Sequence, residues 1–160
     1  RYSGQTLGSG SSLAEAPSLA TPHESRPRRI ARIALALAYA AAGLAHLAAP
    51  QGFLAIMPPW VPMPAAMVLW TGIAELCGAA ALAQSWSPRL RRAGASGLAV
   101  YAVCVFPANV HHFALDMARP DGGLGLYYHA PRMIAQPVIV WWALWAGGVT
   151  DWPLRRPKPS

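Results

Sequence analysis

The chain has 160 residues, of which 54% are hydrophobic and only 12% are charged. Soluble domains carry about 25% charged residues, so this composition excludes a disordered chain and is unusual for a soluble one. The net charge of +7 would by itself suggest that the protein binds nucleic acid. However, most basic residues lie in clusters beside apolar segments, which is typical of the cytoplasmic ends of membrane helices. We therefore expect contact with a lipid bilayer and no nucleic-acid partner.

Three long segments contain no Asp, Glu, Lys or Arg: residues 33–74, 93–115 and 133–150. A helix needs about 20 mostly apolar residues to cross roughly 30 Å of hydrocarbon. The helices of a soluble bundle would each keep one polar face, and these segments have none. The sequence therefore predicts an all-α membrane fold, a bundle of four transmembrane helices.

The N-terminal part of the chain changes character near residue 30. Residues 1–29 are rich in Ser, Gly, Pro and Ala without a helical period, so we expect a flexible tail and no signal peptide. The first helix is predicted from about Ile30 to Ala49. Five prolines within residues 50–64 prevent a regular span, so we expect a short half-helix at the membrane interface, anchored by Trp60.

Three more helices follow in the sequence. The second is predicted from about Pro64 to Trp86, the third from about Ala93 to Leu115 and the fourth from about Pro131 to Thr150, with residues 116–131 as an outer loop. The transmembrane domain then covers residues 30–150, and residues 151–160 form a basic tail.

The basic clusters predict the orientation of this bundle. They precede the first helix, separate the second from the third, and follow the fourth, so four crossings place all of them on one side. The positive-inside rule assigns that side to the cytoplasm, together with both termini, and the compact chain favours a bacterial inner membrane. The clusters are Arg26, Arg28, Arg29 and Arg32; Arg89, Arg91 and Arg92; and Arg155, Arg156 and Lys158.

The two cysteines, Cys77 and Cys104, lie in separate apolar segments without a C-x-x-C spacing. The favoured interpretation is two small buried apolar residues, and an inter-helix disulfide or redox pair is the alternative.

Six polar residues within the apolar segments are candidates for a binding pocket: His46, Glu75, Asn109, His112, Arg132 and Gln136. Each costs about 2–4 kcal/mol in hydrocarbon, so each needs a reason to be there. The helical rise puts them at similar heights, which predicts one buried polar cluster opening toward the outer side. We expect Arg132 to be the counter-ion of Glu75, because its long side chain reaches inward from the interface. Asn109 and His112 share a helix face, whereas His111 is rotated away.

The polar cluster has more than one interpretation. Pro107 should kink the third helix and free a carbonyl, which Asn109 could satisfy, but that explains neither Glu75 nor Arg132. A structural ion-pair network and a small-molecule pocket fit the residues equally well. A metal held by His46, Glu75 and His112, or a haem between His46 and His112, is a less favoured alternative, since no metal-ligand spacing supports it.

A series of short motifs resembles the DoxX family of four-helix membrane proteins. In chain order they are Ala42-Gly-Leu-Ala-His46, Phe53-Leu-Ala-Ile-Met-Pro-Pro59, Thr71-Gly-Ile-Ala-Glu75 with Gly78, Phe106-Pro-Ala-Asn109, and Arg132-Met-Ile-Ala-Gln136. The resemblance covers about residues 32–146. It implies a polar core of His46, Glu75, Asn109, Arg132 and Gln136, with Pro59, Gly72, Gly78 and Pro107 as structural positions.

The resemblance implies a fold more than a reaction. Some DoxX relatives are tied to quinone-linked oxidation of sulfur compounds or to membrane redox complexes, and others act as receptors or chaperones. The leading hypothesis is an accessory membrane subunit, not a stand-alone enzyme, that binds a small ligand such as a quinone headgroup and supports a redox partner. The alternatives are a structural or assembly subunit and a metal- or haem-binding protein.

Overall fold

The computed structural model describes residues 24–153, which form five α-helices and no strand within that range. The helices are α1 (Arg26–Ala48), α2 (Pro50–Leu54), α3 (Pro64–Ala83), α4 (Pro88–Ala118) and α5 (Gly125–Ala146). The fold is therefore all-α, as predicted. Most of the expected N-terminal tail, and the third basic cluster with most of the basic tail, lie outside the described residues.

Two arginines of α1 show how the four long helices are oriented. Arg32 donates to the backbone oxygens of Leu82 and Ala83 at the end of α3, and Arg28 Nε donates to Trp145 O at the end of α5 over 2.8 Å. The start of α1 and the ends of α3 and α5 therefore meet at one end of the bundle. The start of α4 joins them, because only four residues separate it from α3. The long helices thus alternate in direction.

We call the end that carries Arg28 and Arg32 the basic end, and the opposite one the far end. The basic end holds the packed core, in which ten buried residues from all four long helices meet: Leu35, Ala36, Tyr39, Ala79, Leu82, Ala95, Leu98, Ala99, Ala143 and Ala146. Six of these ten are alanine, and small side chains let helix backbones approach closely where lipid supplies no hydrophobic driving force.

Glycines mark the closest helix crossings. A Cβ added to Gly43 of α1 would lie 2.8 Å from the Gly72 oxygen of α3, and one added to Gly72 would lie 2.8 Å from His46 Cβ. A Cβ on Gly78 would meet the side chain of Leu98 in α4 at 2.5 Å. A side chain at Gly72 or Gly78 would therefore require a neighbouring helix or side chain to shift, which gives both glycines a structural role.

Three helices, α1, α3 and α4, are long and apolar enough to cross a membrane, judged by length and composition over the described residues. This result indicates an integral membrane protein. The 22-residue α5 is not among them, since Arg132, Gln136 and His129 lower the hydropathy of its first half.

The predicted helix boundaries were wrong at several ends, most importantly between α4 and α5. Helix α4 continues to Ala118 and α5 begins at Gly125, so the predicted loop over residues 116–131 shrinks to residues 119–124. Pro131 does not start the last helix but lies inside it. At the other ends, α1 begins at Arg26, α3 ends at Ala83, and α5 ends at Ala146. The five-residue α2 occupies the proline-rich segment where a half-helix was expected.

Candidate functional site

A cavity of about 680 Å³ lies between the helices on the far-end side of the core. All five helices contribute to its lining, and its volume falls in the range of about 300–1,000 Å³ that is usual for small-molecule sites. Five of the six residues predicted from the sequence line it: His46, Glu75, Asn109, Arg132 and Gln136. Apolar side chains make up most of the remaining wall, so the cavity is apolar with a few polar groups.

The sixth residue, His112, is not part of the cavity lining but is joined to it through Arg132. Arg132 Nη1 donates to His112 Nδ1 over 2.9 Å, and Arg132 Nη2 donates to Asn109 Oδ1 over 2.6 Å. His111, the neighbouring histidine, instead packs edge-on to Trp60 with ring centroids 5.4 Å apart. Of the two histidines, His112 is therefore the one that joins the polar cluster, in line with their different helix faces.

The expected pairing of Glu75 with Arg132 is wrong. Glu75 is buried, with 4% of its surface exposed, and its Oε2 lies 3.0 Å from His46 Nδ1. Arg132 is committed to Asn109 and His112 on the other side of the cavity. The predicted depth of each residue could not distinguish a Glu75–Arg132 pair from a Glu75–His46 pair, because the partner also depends on how each helix is rotated about its axis.

Two buried polar atoms of the cavity lining have no hydrogen-bond partner among the described residues: Tyr39 Oη and Glu75 Oε2. Although His46 Nδ1 is near Glu75, its N–H is also 3.0 Å from Ala42 O in the preceding turn and is aligned with that carbonyl. Tyr101 also lines the cavity, and its ring lies 6.5 Å from that of Tyr39. Since a buried polar atom without a partner costs about 1–3 kcal/mol, these two atoms are the candidate positions for contact with a bound polar group.

The amides near Pro107 are, in contrast, fully used within the protein. Asn109 Nδ2 donates to Gln136 Oε1 over 3.1 Å, and Gln136 Nε2 donates to the Ala102 carbonyl in the turn before Pro107. A proline inside a helix removes one backbone hydrogen bond and disturbs the carbonyls one turn before it. Asn109 and Gln136 therefore stabilise this part of α4 against α5.

These contacts belong to a longer set, which we call the α4–α5 ladder. It has three rungs between antiparallel helices: Asn109 with Gln136, His112 with Arg132, and Asp116 with His129. The residues lie at spacings i, i+3 and i+7 on each helix, so each set shares one helix face. In this ladder the bond from His129 Nε2 to Asp116 Oδ2 is 2.9 Å long, and His129 is completely buried.

The sequence reasoning missed the third rung. Both Asp116 and His129 were assigned to a loop, on the grounds that Pro131 should begin the last helix. A signal was nevertheless present, since residues 109, 112 and 116 and residues 129, 132 and 136 have the same helical spacing, three residues and then four. That pattern predicts two polar faces that pair when the helices run antiparallel.

Asp116 also closes the connection between the two helices. Its Oδ2 accepts from the backbone N–H of Leu124 over 3.0 Å, immediately before α5. A carboxylate at a helix N-terminus is stabilised by the free N–H groups there and by the helix dipole. Gly123 has a φ of +54° and lies directly against Asp116, so the tight turn depends on a residue without a side chain.

His112, Asp116 and His129 form the one group of potential metal ligands in the part of the chain that the structure describes. Their ligand atoms lie within 4.8 Å of one another, a spacing that a divalent cation could bridge. However, Arg132 donates to His112 Nδ1, so the ring proton of neutral His112 lies on Nε2, the atom that faces Asp116 at 3.5 Å. Since metal ligation needs a lone pair on that nitrogen, Arg132 opposes a cation in this cluster.

The predicted metal set of His46, Glu75 and His112 is not brought together, because His112 lies outside the cavity. For the same reason His46 and His112 do not face each other across one space, as two axial haem ligands must. His46 instead stacks on Phe53, with ring centroids 3.7 Å apart.

The segment around α2 covers the far end of the cavity. Phe53, Met57 and Pro58 line it, and Pro58 is buried. The neighbouring Pro59, which was predicted to be structural, is exposed. Pro58 is therefore the proline of this pair that packs against the site.

The two cysteines do not form a pair, although Cys104 is among the residues that line the cavity. Both Cys77 and Cys104 are free and exposed on the helix surface, so the prediction of two buried residues was wrong. Long apolar segments that look buried in a sequence also face outward in a membrane bundle, since lipid accepts them.

Comparison with known proteins identifies a family but no activity. No curated protein and no solved structure matches the chain. A family model described as a domain of unknown function, DUF8561, matches residues 35–147. The matched region runs from the first core residue of α1 to the end of α5 and contains the cavity and the α4–α5 ladder. The chain therefore belongs to the DUF8561 family.

Proposed function

We propose that this chain is a DoxX-like membrane protein of four spans that binds a small amphiphilic ligand in its central cavity and serves a membrane redox system as an accessory subunit. Helix α5 is the fourth span. Its 22 residues extend over about 33 Å, enough for the hydrocarbon, and its polar residues face α4 through the ladder. Its outer surface carries exposed apolar side chains such as Ile134 and Val138.

The charges support an orientation with the basic end in the cytoplasm of a bacterial inner membrane. Arg26 and Arg29 of α1 and the cluster at the start of α4 lie at this end, as the positive-inside rule requires. Exposed tryptophans occur near both ends, with Trp86 at the basic end and Trp60 and Trp70 toward the far end. Interfacial aromatics of this kind are typical of a spanning bundle, and the α2 segment would lie at the outer interface.

The observation that carries the ligand proposal is the pair of unpartnered polar atoms in a largely apolar cavity. Tyr39 Oη and Glu75 Oε2 are buried without hydrogen-bond partners and both belong to the lining. Natural proteins rarely leave such atoms unpaired, so their presence beside an apolar space supports a ligand with a polar headgroup and an apolar body. Quinones and related ring compounds have this build, and the order of the DoxX-like motifs supports the same class.

The direct test is native mass spectrometry of the full chain released from gentle detergent, after expression in a bacterial host. The proposal predicts that one amphiphile binds per chain and that it is lost in a cavity-filling Ala135→Trp variant, since Ala135 is half-buried and lines the cavity. A matched control, Ala80→Trp, changes an exposed residue of α3 and should keep the ligand. The proposal would be overturned if the wild-type protein neither retains an amphiphile during purification nor binds one that is added.

A structural or assembly subunit is the second candidate, and the α4–α5 ladder favours it. Every side-chain polar group of Asn109 and Gln136 finds a partner within the protein, which is the behaviour of residues that hold two helices in register. If Glu75→Gln and Arg132→Ala both lower stability while wild-type protein binds no ligand, this second function replaces the first.

A further inference from the structure

We infer that the exposed surface of α1 binds one anionic phospholipid, with the phosphate at Arg26 and Arg29 and one acyl chain in the groove that continues along the helix. This inference does not depend on the ligand of the central cavity, since it concerns the surface of the bundle and not its interior. It rests on two observations, a pair of arginines without partners and an apolar groove that begins beside one of them.

The four arginines at the start of α1 divide into two pairs with different surroundings. Arg28 and Arg32 are held by backbone oxygens and carboxylates of the bundle. Arg26 and Arg29 are exposed, and neither side chain forms an ion pair or a hydrogen bond within residues 24–153. The charge of this second pair is therefore available to a partner outside the bundle.

An apolar groove of about 370 Å³ runs along α1 from Arg29. Its walls are Ile30, Ile33, Ala34 and Leu37, and Arg29 stands at one end of it. The eight residues from Arg29 to Leu37 rise about 12 Å, close to the roughly 15 Å of hydrocarbon that one leaflet contributes. Ile30 and Leu37 are 70% and 66% exposed, so the packing of the helices leaves this groove open.

The order of charge and groove along α1 matches the build of an anionic phospholipid. A guanidinium donates two parallel hydrogen bonds to a phosphate and keeps its charge at the membrane interface. Arg26 lies three residues before Arg29, so the two are neighbours on the helix surface and can hold one headgroup. A zwitterionic lipid has the same phosphate and chains, but its cationic group cancels the net charge that the arginines attract.

The arginines at the start of α4 provide a comparison within the same molecule. Arg89 and Arg92 are also exposed at the basic end, but they do not line this groove. A general attraction between the basic end and anionic lipid would involve both sets of arginines equally. A site on α1 would depend on Arg26 and Arg29 alone.

The test is native mass spectrometry of the full chain in a non-ionic detergent. Dioleoylphosphatidylglycerol and dioleoylphosphatidylcholine are added in equal amounts, at a concentration at which at most one lipid is retained per chain. Each arginine beside an anionic headgroup changes binding about fivefold, so we expect the anionic lipid to exceed the zwitterionic lipid about twentyfold. A ratio near one for the wild-type protein would overturn the inference.

The first variants assign the preference to its residues. Arg29→Gln and Arg26→Gln should each reduce the ratio of the two lipids to about fivefold. Arg92→Gln is the matched control, because it removes the same charge from the same end of the bundle but from outside the groove, and it should leave the ratio near twentyfold. Equal reductions in Arg29→Gln and Arg92→Gln would show a general property of the basic end and overturn the site on α1.

A second pair of variants tests the groove itself. Ala34→Trp places a large side chain where the acyl chain would lie, so it should lower the retention of the anionic lipid at least about fivefold. Ala41→Trp changes an exposed position on the same helix beyond the groove and should leave the retention unchanged. Unchanged retention in Ala34→Trp would contradict an acyl chain in the groove.

The same spectra distinguish this site from other occupants and from the central cavity. A lipid-free dimer that Ala34→Trp dissociates would assign the groove to a second copy of the chain and overturn the inference. A lipid that is lost in Ala135→Trp but kept in Arg29→Gln would lie in the cavity, which would support the proposed function and overturn the site on α1. Loss in Arg29→Gln but not in Ala135→Trp is the result that we expect.

Discussion

Replacement of Arg32 tests how the basic end of the bundle is held together. The side chain is 1% exposed and donates to the backbone oxygens of Leu82, Ala83 and Gln84, where α3 ends. The last carbonyls of a helix have no partner within the helix, so Arg32 satisfies acceptors that no other described side chain reaches. It also binds Glu24 through two bonds of 2.9 and 3.1 Å.

The expected loss of stability in Arg32→Met follows from these contacts. Each buried carbonyl left without a partner costs about 1–3 kcal/mol, and removal of the buried charge returns part of that cost. Glu24 adds little, because its side chain is 18% exposed and can reach water. We therefore expect Arg32→Met to lower the free energy of unfolding by ~2–4 kcal/mol. Arg32→Lys should lose about half as much, since an ammonium keeps the charge but not the planar set of donors.

The measurement is reversible unfolding in mixed micelles with increasing SDS, followed by far-UV circular dichroism. Arg29→Met is the matched control, because Arg29 is exposed on the same helix and should change the free energy by less than about 0.5 kcal/mol. Equal losses in Arg32→Met and Arg29→Met would show that Arg32 acts only through its charge at the membrane surface, and would refute the capping argument.

Three further predictions address the helix crossings and the ladder. Gly43→Ala should cost ~1–3 kcal/mol of unfolding free energy, because the new Cβ meets a backbone oxygen of α3, whereas Gly97→Ala should be neutral within about 0.5 kcal/mol, as nothing lies within 4 Å of that position. A double-mutant cycle of Asp116→Ala and His129→Ala should give a coupling of ~1–3 kcal/mol, and additive losses would disprove the buried bond. Added Zn²⁺ should stabilise Arg132→Ala but not the wild type in thermal unfolding. Equal stabilisation of both would show that Arg132 does not control the histidine–aspartate cluster.

The pairing of the polar residues shows where prediction from the sequence stopped. His46, Glu75, Asn109, Arg132 and Gln136 could be found because polar groups are costly in long apolar segments, and all five do line one cavity. Their partners could not be found in this way. Depth depends only on position along a helix, but a partner depends also on the rotation of the helix and on which neighbour it faces. Glu75 consequently lies beside His46 and not Arg132.

The prediction of the connection between α4 and α5 was wrong for a different reason. Proline disfavours a helical residue before it and cannot donate to the preceding turn, so Pro131 predicted a helix start. In the structure α5 begins six residues earlier, where Leu124 is held by the carboxylate of Asp116. The local cost of Pro131 is offset by the contacts of His129 with Asp116, which the tertiary structure alone creates.

The amino-acid order alone is enough to predict that this chain is helical and apolar enough for a membrane, because the length of the apolar runs and the positions of the charges can be read directly from it. It also determined which residues need a polar environment. Which of these residues bond to one another, and which keep an unpaired polar atom, depends on how the helices pack. Asn109 and Gln136 bond to each other and hold two helices together. Glu75 and Tyr39 each keep a polar atom without a hydrogen-bond partner, and both line the cavity. That distinction separates a structural network from the proposed binding site, and it arises from geometry between helices that are distant in the chain.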